Sequence, residues 1–223
     1  MEKVKTLGKV YLEKDVLTAA KERLAWIFAH FEAVYLAASG GKDSSVMVQL
    51  ADLVARPLGR RFDVLYIDME AQYAHTIAHI QELKTLPSID RFYHVALPLA
   101  LRNAVSTLQP KWICWDEDER DLWVREMPED AICAANCPWE WFHKGMEFEE
   151  FVKEFAIWYH QEKGVPIACG IGIRADESLN RFSTIAFAQR KTELCGLHWT
   201  TRIADGVYNF YPIYDWRCED IWG

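Results

Sequence analysis

The chain has 223 residues, 51% of them apolar, and a formal charge of −8. That length suits one domain with a full core, and the acidic balance argues against a general nucleic-acid surface while leaving room for a local basic pocket. The opening Met1-Glu2-Lys3-Val4-Lys5 holds no apolar signal core, no uncharged stretch is long enough to span a membrane, and six dispersed cysteines read as free thiols of a cytoplasmic chain.

Asp15 is expected to start a helix whose buried stripe is Leu17, Ala20, Leu24, Ile27, Phe28 and Phe31. Val34 to Ala38 form an apolar run of strand character. Behind it Val46, Met47, Leu50, Leu53 and Val54 recur at helical spacing as far as Arg56-Pro57. Phe62 to Asp68 reads as a second strand, Ala71 to Leu86 as a helix ended by Pro87, and Arg91 to Leu99 as a third strand. The alternation predicts a Rossmann-like α/β fold: a parallel five-stranded sheet with helices on both faces, in one domain over residues 1–223.

The pattern breaks between residues 103 and 145, where Trp112, Trp115, Trp123, Trp139 and Trp141 fall around an acidic run, Asp116 to Asp121. This segment reads as an insertion over one edge of the sheet, either a lid or a small satellite core. Phe148, Phe151, Val152, Phe155, Trp158 and Tyr159 then share one helical face, closed by Lys163-Gly164. Pro166 to Ile173 is the fourth strand, Asp176 to about Leu194 a helix, Asn209 to Tyr214 the fifth strand, and Trp216 to Trp222 the opening of another helix.

The chemistry gathers where strands end. Ala38-Ser39-Gly40-Gly41-Lys42-Asp43-Ser44 joins the first strand to a helix. Two glycines allow positive φ, so backbone N–H groups can converge on one hollow beside the positive end of a helix. Ser39 and Ser44 add hydroxyls and Lys42 a cation. The alternative is an ordinary strand-to-helix turn capped by Asp43 or Ser44. Asp68 and Glu70 follow the second strand and could contact a ribose or magnesium, or merely favour a helix N-terminus. Arg174 follows the glycine-rich fourth strand, and Arg181 lies seven residues on; a guanidinium there suits an anion, and an ion pair with Glu177 is the alternative for Arg174.

Ser-Gly-Gly-Lys-Asp-Ser resembles the PP-loop of the adenine nucleotide alpha-hydrolase group, which includes ATP pyrophosphatases and phosphoadenylyl-sulfate (PAPS) reductases. Gly172-Ile173-Arg174-Ala175-Asp176-Glu177-Ser178 with Arg181 is similar to a segment of PAPS reductase-like proteins, as is Pro212-Ile213-Tyr214-Asp215-Trp216 followed by Asp220-Ile221-Trp222. The resemblance implies that Ser39, Gly40, Gly41, Asp43 and Ser44 surround the phosphate or sulfate end of ATP or PAPS. It places Ala37, Ala38 and Asp68 near adenosine, and Gly172, Arg174 and Arg181 at the anionic end. Asp215 and Trp216 would shape the pocket wall. As an enzyme, the chain would use Lys42, Asp43 and Arg174 in nucleotide alpha-phosphate hydrolysis, adenylation or sulfur-related transfer, with magnesium held by Asp43 or Asp68.

The tryptophan-rich insertion resembles the phage and prophage branch of that group, which includes a gene-expression co-activator working beside a ParB-like protein. DNA phosphorothioation sulfurtransferases are a further related branch. A non-catalytic nucleotide sensor with a ParB-like partner is therefore the rival to an enzyme. A PAPS reductase proper is the other alternative, and it needs a thiolate. Glu193-Leu194-Cys195-Gly196-Leu197-His198 resembles the family's cysteine motif but carries an extra leucine and precedes the Pro-x-x-Asp-Trp landmark, so Cys195-Gly196 reads as a helix end. The family's C-terminal tail is expected to be absent beyond Gly223. Cys114, Cys133 and Cys137 lack iron–sulfur spacing, so no metal centre is expected. The acceptor substrate and the oligomeric state are left open.

Overall fold

The computed structural model describes residues 13–103, 108, 110–186 and 194–222. In chain order it runs α1 (Val16–His30), β1 (Ala33–Ala38), α2 (Lys42–Ala55), β2 (Phe62–Ile67), α3 (Ala74–Leu83) and β3 (Ile89–Val95). A short hairpin of β4 (Ala100–Arg102) and β5 (Lys111–Ile113) and a 3-10 turn (Glu117–Leu122) follow. The chain continues through α4 (Phe148–Lys163), β6 (Ile167–Ile171), α5 (Leu179–Ala186), β7 (Thr200–Ala204), β8 (Val207–Phe210) and α6 (Cys218–Trp222). No helix among the described residues is long and apolar enough to cross a membrane.

The fold is α/β with a mostly parallel, six-stranded sheet in the order β3-β2-β1-β6-β8-β7. The expected five parallel strands are present, and β7 adds a sixth that runs antiparallel to β8 at the edge. Its sequence, Thr-Thr-Arg-Ile-Ala, has the polar character of an edge strand and no apolar run to announce it. The fifth parallel strand is Val207–Phe210, earlier than Asn209–Tyr214, because Tyr211 to Trp216 turns away, with Tyr211 N–H donating to Trp199 O at 2.9 Å.

Alternation along β1 divides the core. Val34, Leu36 and Ala38 face one apolar cluster with α1, α2 and the buried Ile80 and Leu83 of α3. Tyr35 faces the other, with α4 and the tryptophan-rich segment. Two residues expected in the first cluster turn outward: Leu17 and Leu53 are exposed. Asp15 caps α1 by accepting from Thr18 N–H at 2.8 Å, and Gly164 (φ 66°) closes α4 in the left-handed conformation.

The helix α3 begins at Ala74, later than Ala71, because Glu70 at φ 66° forces a turn in which Ala71 and Gln72 N–H bond Met69 O and Glu70 O. The strand β3 likewise ends at Val95, short of Leu99. Ala96 N–H turns to Ile132 O at 2.8 Å, where the 103–145 segment meets the sheet. That segment extends the second core: Trp115 and Trp139 are buried, and Trp139 packs edge-on against Phe151, Phe155 and Trp158 of α4. The expected helix from Asp176 to Leu194 begins at Leu179, and its stretch 187–193 lies outside the described residues, as do 104–107 and 109 of the insertion and the opening Met1 to Lys5.

Candidate nucleotide site

The strand order reverses between β1 and β6, and their carboxyl ends form the crevice where open α/β sheets take ligands. The Ser39–Ser44 loop leaves β1 there, and Gly172 leaves β6. An added Cβ on Gly172 would lie 2.9 Å from Ser44 Cα and 3.0 Å from Ser44 N, so only glycine lets the two strand ends close up. Gly40 is glycine for two reasons: its φ is +75°, and a Cβ would meet Thr76 Cγ2 at 2.5 Å.

Hydroxyls lace the loop. Ser44 Oγ accepts from Ser39 N–H at 3.1 Å and donates to Gly41 O at 3.0 Å; Ser39 Oγ accepts from Gly41 N–H at 3.3 Å. The first turn of α2 has no side-chain cap. Its N–H groups at Lys42, Asp43 and Ser44 meet no protein acceptor among the described residues. Asp43 is buried and bridges two cations, Lys42 Nζ at 2.8 Å and Arg174 Nε at 3.0 Å.

A cleft of about 760 Å³ opens here. Ser39, Gly41, Lys42, Asp43 and Ser44 line one end with Ala38, and Gly172, Glu177 and Arg181 face it. Its body runs beneath α4, walled by Phe148, Val152 and Ala156 above and by Ala37, Ile67 and Ile171 of the sheet. The cleft thus has a polar end at the loop and an apolar body under α4.

Several expected site residues are placed differently. Arg174 is buried, its Nε committed to Asp43 and its backbone N–H to Glu177 at 3.2 Å, and it does not line the cleft. It orients Asp43 instead of offering an open fork. Arg181 lines the cleft while paired with Glu177. Gly40 packs on α3 behind the loop. Asp215 takes Arg23 at 2.6 Å, and Trp216 is buried in the α1 core with its Nε1 donating to Val16 O, so neither shapes the cleft wall. The α4 wall has no local signature, because its residues repeat only as a buried stripe.

Asp68 departs furthest from expectation. Its carboxylate is buried, 3.1 Å from His94 Nε2, paired with Arg125, and accepting from Glu70 N–H at 3.0 Å. Burial pushes its pKa up, but the bonds from His94 and Arg125 outweigh this and hold it below the usual carboxylate range. Glu70 accepts from Trp115 N–H at 2.8 Å and Val124 N–H at 3.2 Å. Asp68 and Glu70 therefore clasp the tryptophan-rich segment, and Met69 between them lines the cleft. Asp43 and Asp68, the carboxylates expected to take magnesium, are each paired with cations, and no metal-ligating cluster of three occurs among the described residues. The thiols are likewise placed. Burial pushes Cys114 and Cys169 up to about 12, Cys133 and Cys137 are half-buried, and Cys195 and Cys218 are exposed. Cys195 (φ 54°) and Gly196 (φ 73°) form a turn away from the cleft; Glu193 lies outside the described residues.

Residues 33–107 match the family model described as the phosphoadenosine phosphosulfate reductase domain. An uncharacterized protein of Escherichia coli (strain K12), YbdN, is 43% identical over 222 residues, covering 97% of this chain and 53% of that protein. The chain thus spans about half the length of this relative. Among solved structures, the U34-tRNA thiolase NcsA from Methanococcus maripaludis, with its 4Fe-4S cluster, aligns with 96% of this chain and 64% of its own at 13% identity and a TM-score of 0.43.

Proposed function

We propose that the chain binds an adenine nucleotide, ATP or PAPS, with its anionic tail on the Ser39–Ser44 loop, and acts at the alpha phosphate of ATP. The observation that carries this reading is the uncapped first turn of α2, whose N–H groups at Lys42, Asp43 and Ser44 have no acceptor among the described residues and belong to residues that line the cleft. The match of residues 33–107 to a phosphoadenosine phosphosulfate reductase domain supports the nucleotide class.

In this reading an acceptor oxygen or water forms a bond to the alpha phosphorus. The bond to the bridging oxygen breaks, and its electron pair leaves with pyrophosphate. Charge grows on the departing group, where the α2 N-terminus and Lys42 are already fixed to receive it. Arg174 holds Asp43, and Asp43 holds Lys42, so the cation is kept at the loop without turning into the cleft's apolar body. The cleft's own thiol, Cys169, is protonated at neutral pH, which favours phosphorus chemistry over attack of a thiolate on PAPS sulfur.

Calorimetric titration with ATP, adenylyl sulfate and PAPS in parallel tests the binding, and pyrophosphate release tests the turnover. The expected result is binding of ATP and release of pyrophosphate that Asp43→Ala removes. Binding without turnover makes the chain a nucleotide sensor, and absence of all three binding events overturns the reading.

A further inference from the structure

The cleft reaches well beyond the loop, and its far end is chemically distinct. Tyr35, Cys169 and Asn209 stand directly opposite one another on β1, β6 and β8, so they form one row on the face covered by α4. The next row toward the loop is apolar: Leu65, Ala37 and Ile171. All six line the cleft. Tyr35 is 1% exposed, and its hydroxyl has no oxygen or nitrogen partner, only the weakly accepting thiol of Cys169 beside it. The carboxylate of Asp63, the next residue in its row, already takes Tyr159 Oη at 2.9 Å and Lys163 Nζ at 3.0 Å.

A buried hydroxyl met only by a thiol carries a desolvation cost that the fold offsets in part. Here the ring that bears it is fixed, edge-on against Phe155 at 5.3 Å and Tyr159 at 4.9 Å. Burial raises its pKa well above the ordinary phenol value, so it is a proton donor at neutral pH. Ala37, Ala156 and Cys169, all small, line the cleft around it. Four residues of strand, about 13 Å, separate Tyr35 from Ser39. A nucleotide gripped by its phosphates at the loop spans that interval with its sugar and ring.

We infer that Tyr35 is a specificity residue that donates its hydroxyl hydrogen to the edge of the ligand's planar heterocycle, which lies between Ala37 and Ile171 below and Val152 and Ala156 above. This rests on the nucleotide reading of the loop. Asn209, at the end of the same row, offers an amide for a second contact to the same edge. The heterocycle is thereby read by side chains of the sheet interior and the phosphates by backbone of the loop, so the two ends of the ligand are separable in experiment.

The test compares ATP with inorganic pyrophosphate on the wild type, Tyr35→Phe and Val152→Phe, by calorimetry and thermal unfolding. Tyr35→Phe is expected to weaken ATP about fivefold, the loss of one neutral hydrogen bond, and to leave pyrophosphate unchanged. Because the hydroxyl meets only the Cys169 thiol without ligand, the melting temperature of the unligated variant changes little. Val152→Phe fills the cleft from the helix side and is expected to weaken ATP at least tenfold while sparing pyrophosphate. Equal ATP affinity in the wild type and Tyr35→Phe overturns the inference alone. So does a markedly lower melting temperature of unligated Tyr35→Phe, which would show that the hydroxyl is fully satisfied within the protein. Normal ATP binding by Val152→Phe, or a parallel loss of pyrophosphate in either variant, also overturns it. A wild type that binds neither probe overturns the nucleotide reading itself.

Discussion

Arg174 donates from Nε to Asp43 Oδ1 at 3.0 Å, joining the carboxyl end of β6 to the first turn of α2 across 131 residues of chain. Both side chains are nearly buried, so the pair is worth most when whole: removing Arg174 leaves the Asp43 carboxylate with Lys42 as its counter-ion and little water to replace the lost bond. Arg174→Ala is expected to lower unfolding stability by about 3 kcal/mol in urea titration. It should also weaken ATP binding, since Asp43 would then face the phosphates with only Lys42 to neutralise it. Unchanged stability would show that the pair is open to solvent.

Gly172→Ala separates loop geometry from folding. The new methyl would press on the Ser44 backbone, and the loop can move away more readily than the sheet can. The expected outcome is at least a tenfold loss of ATP affinity by calorimetry with a small change in melting temperature. Gly40→Ala differs, because its positive φ and the Thr76 contact add strain of about 1–2 kcal/mol to the folded state itself.

The pH dependence follows from Asp68. Its folded pKa lies below the unfolded value of about 4. The stability it confers is therefore complete above that unfolded value and is lost as pH falls through the folded one. Urea midpoints measured from pH 6 down to pH 3 should fall in the acid limb for the wild type. Asp68→Asn should begin lower at pH 6 and show a shallower acid limb.

Glu70→Ala removes the acceptor for Trp115 and Val124 N–H. Leaving these donors unsatisfied should cost about 2–3 kcal/mol and open the Glu117–Val124 stretch to limited proteolysis. Cleavage at the same rate as in the wild type would mean that the tryptophan packing alone seats the segment.

Alkylation at pH 8 followed by mass spectrometry should modify Cys195 and Cys218 quickly. Cys114 and Cys169, with pKa values pushed to about 12, should react only after unfolding. Rapid native-state labelling of Cys169 would restore it as a candidate nucleophile.

The parallel half of the fold was legible because β1, β2 and β6 are apolar runs and α1, α2 and α4 carry a 3.6-residue stripe, both local signals. The edge strand β7 carried neither. The loop could be read from its glycines and serines because an anion site at a helix start is built from consecutive residues. The remainder of the site was not legible, because its contacts are non-local. Asp68 finds Arg125 57 residues away, and Tyr35 meets Cys169 only through strand pairing. Arg174 looked like an anion contact for the same reason: the sequence displays its charge and conceals that Asp43 claims it.

Three consecutive residues do two jobs at the end of β2. Met69 is part of the cleft wall, while the carboxylates on either side of it hold the tryptophan-rich segment. Whatever grips or releases that segment from outside pulls on a lever one residue long. The width of the cleft at Met69 and the seating of the aromatic cover therefore share one short stretch of backbone, and a shift in either moves the other.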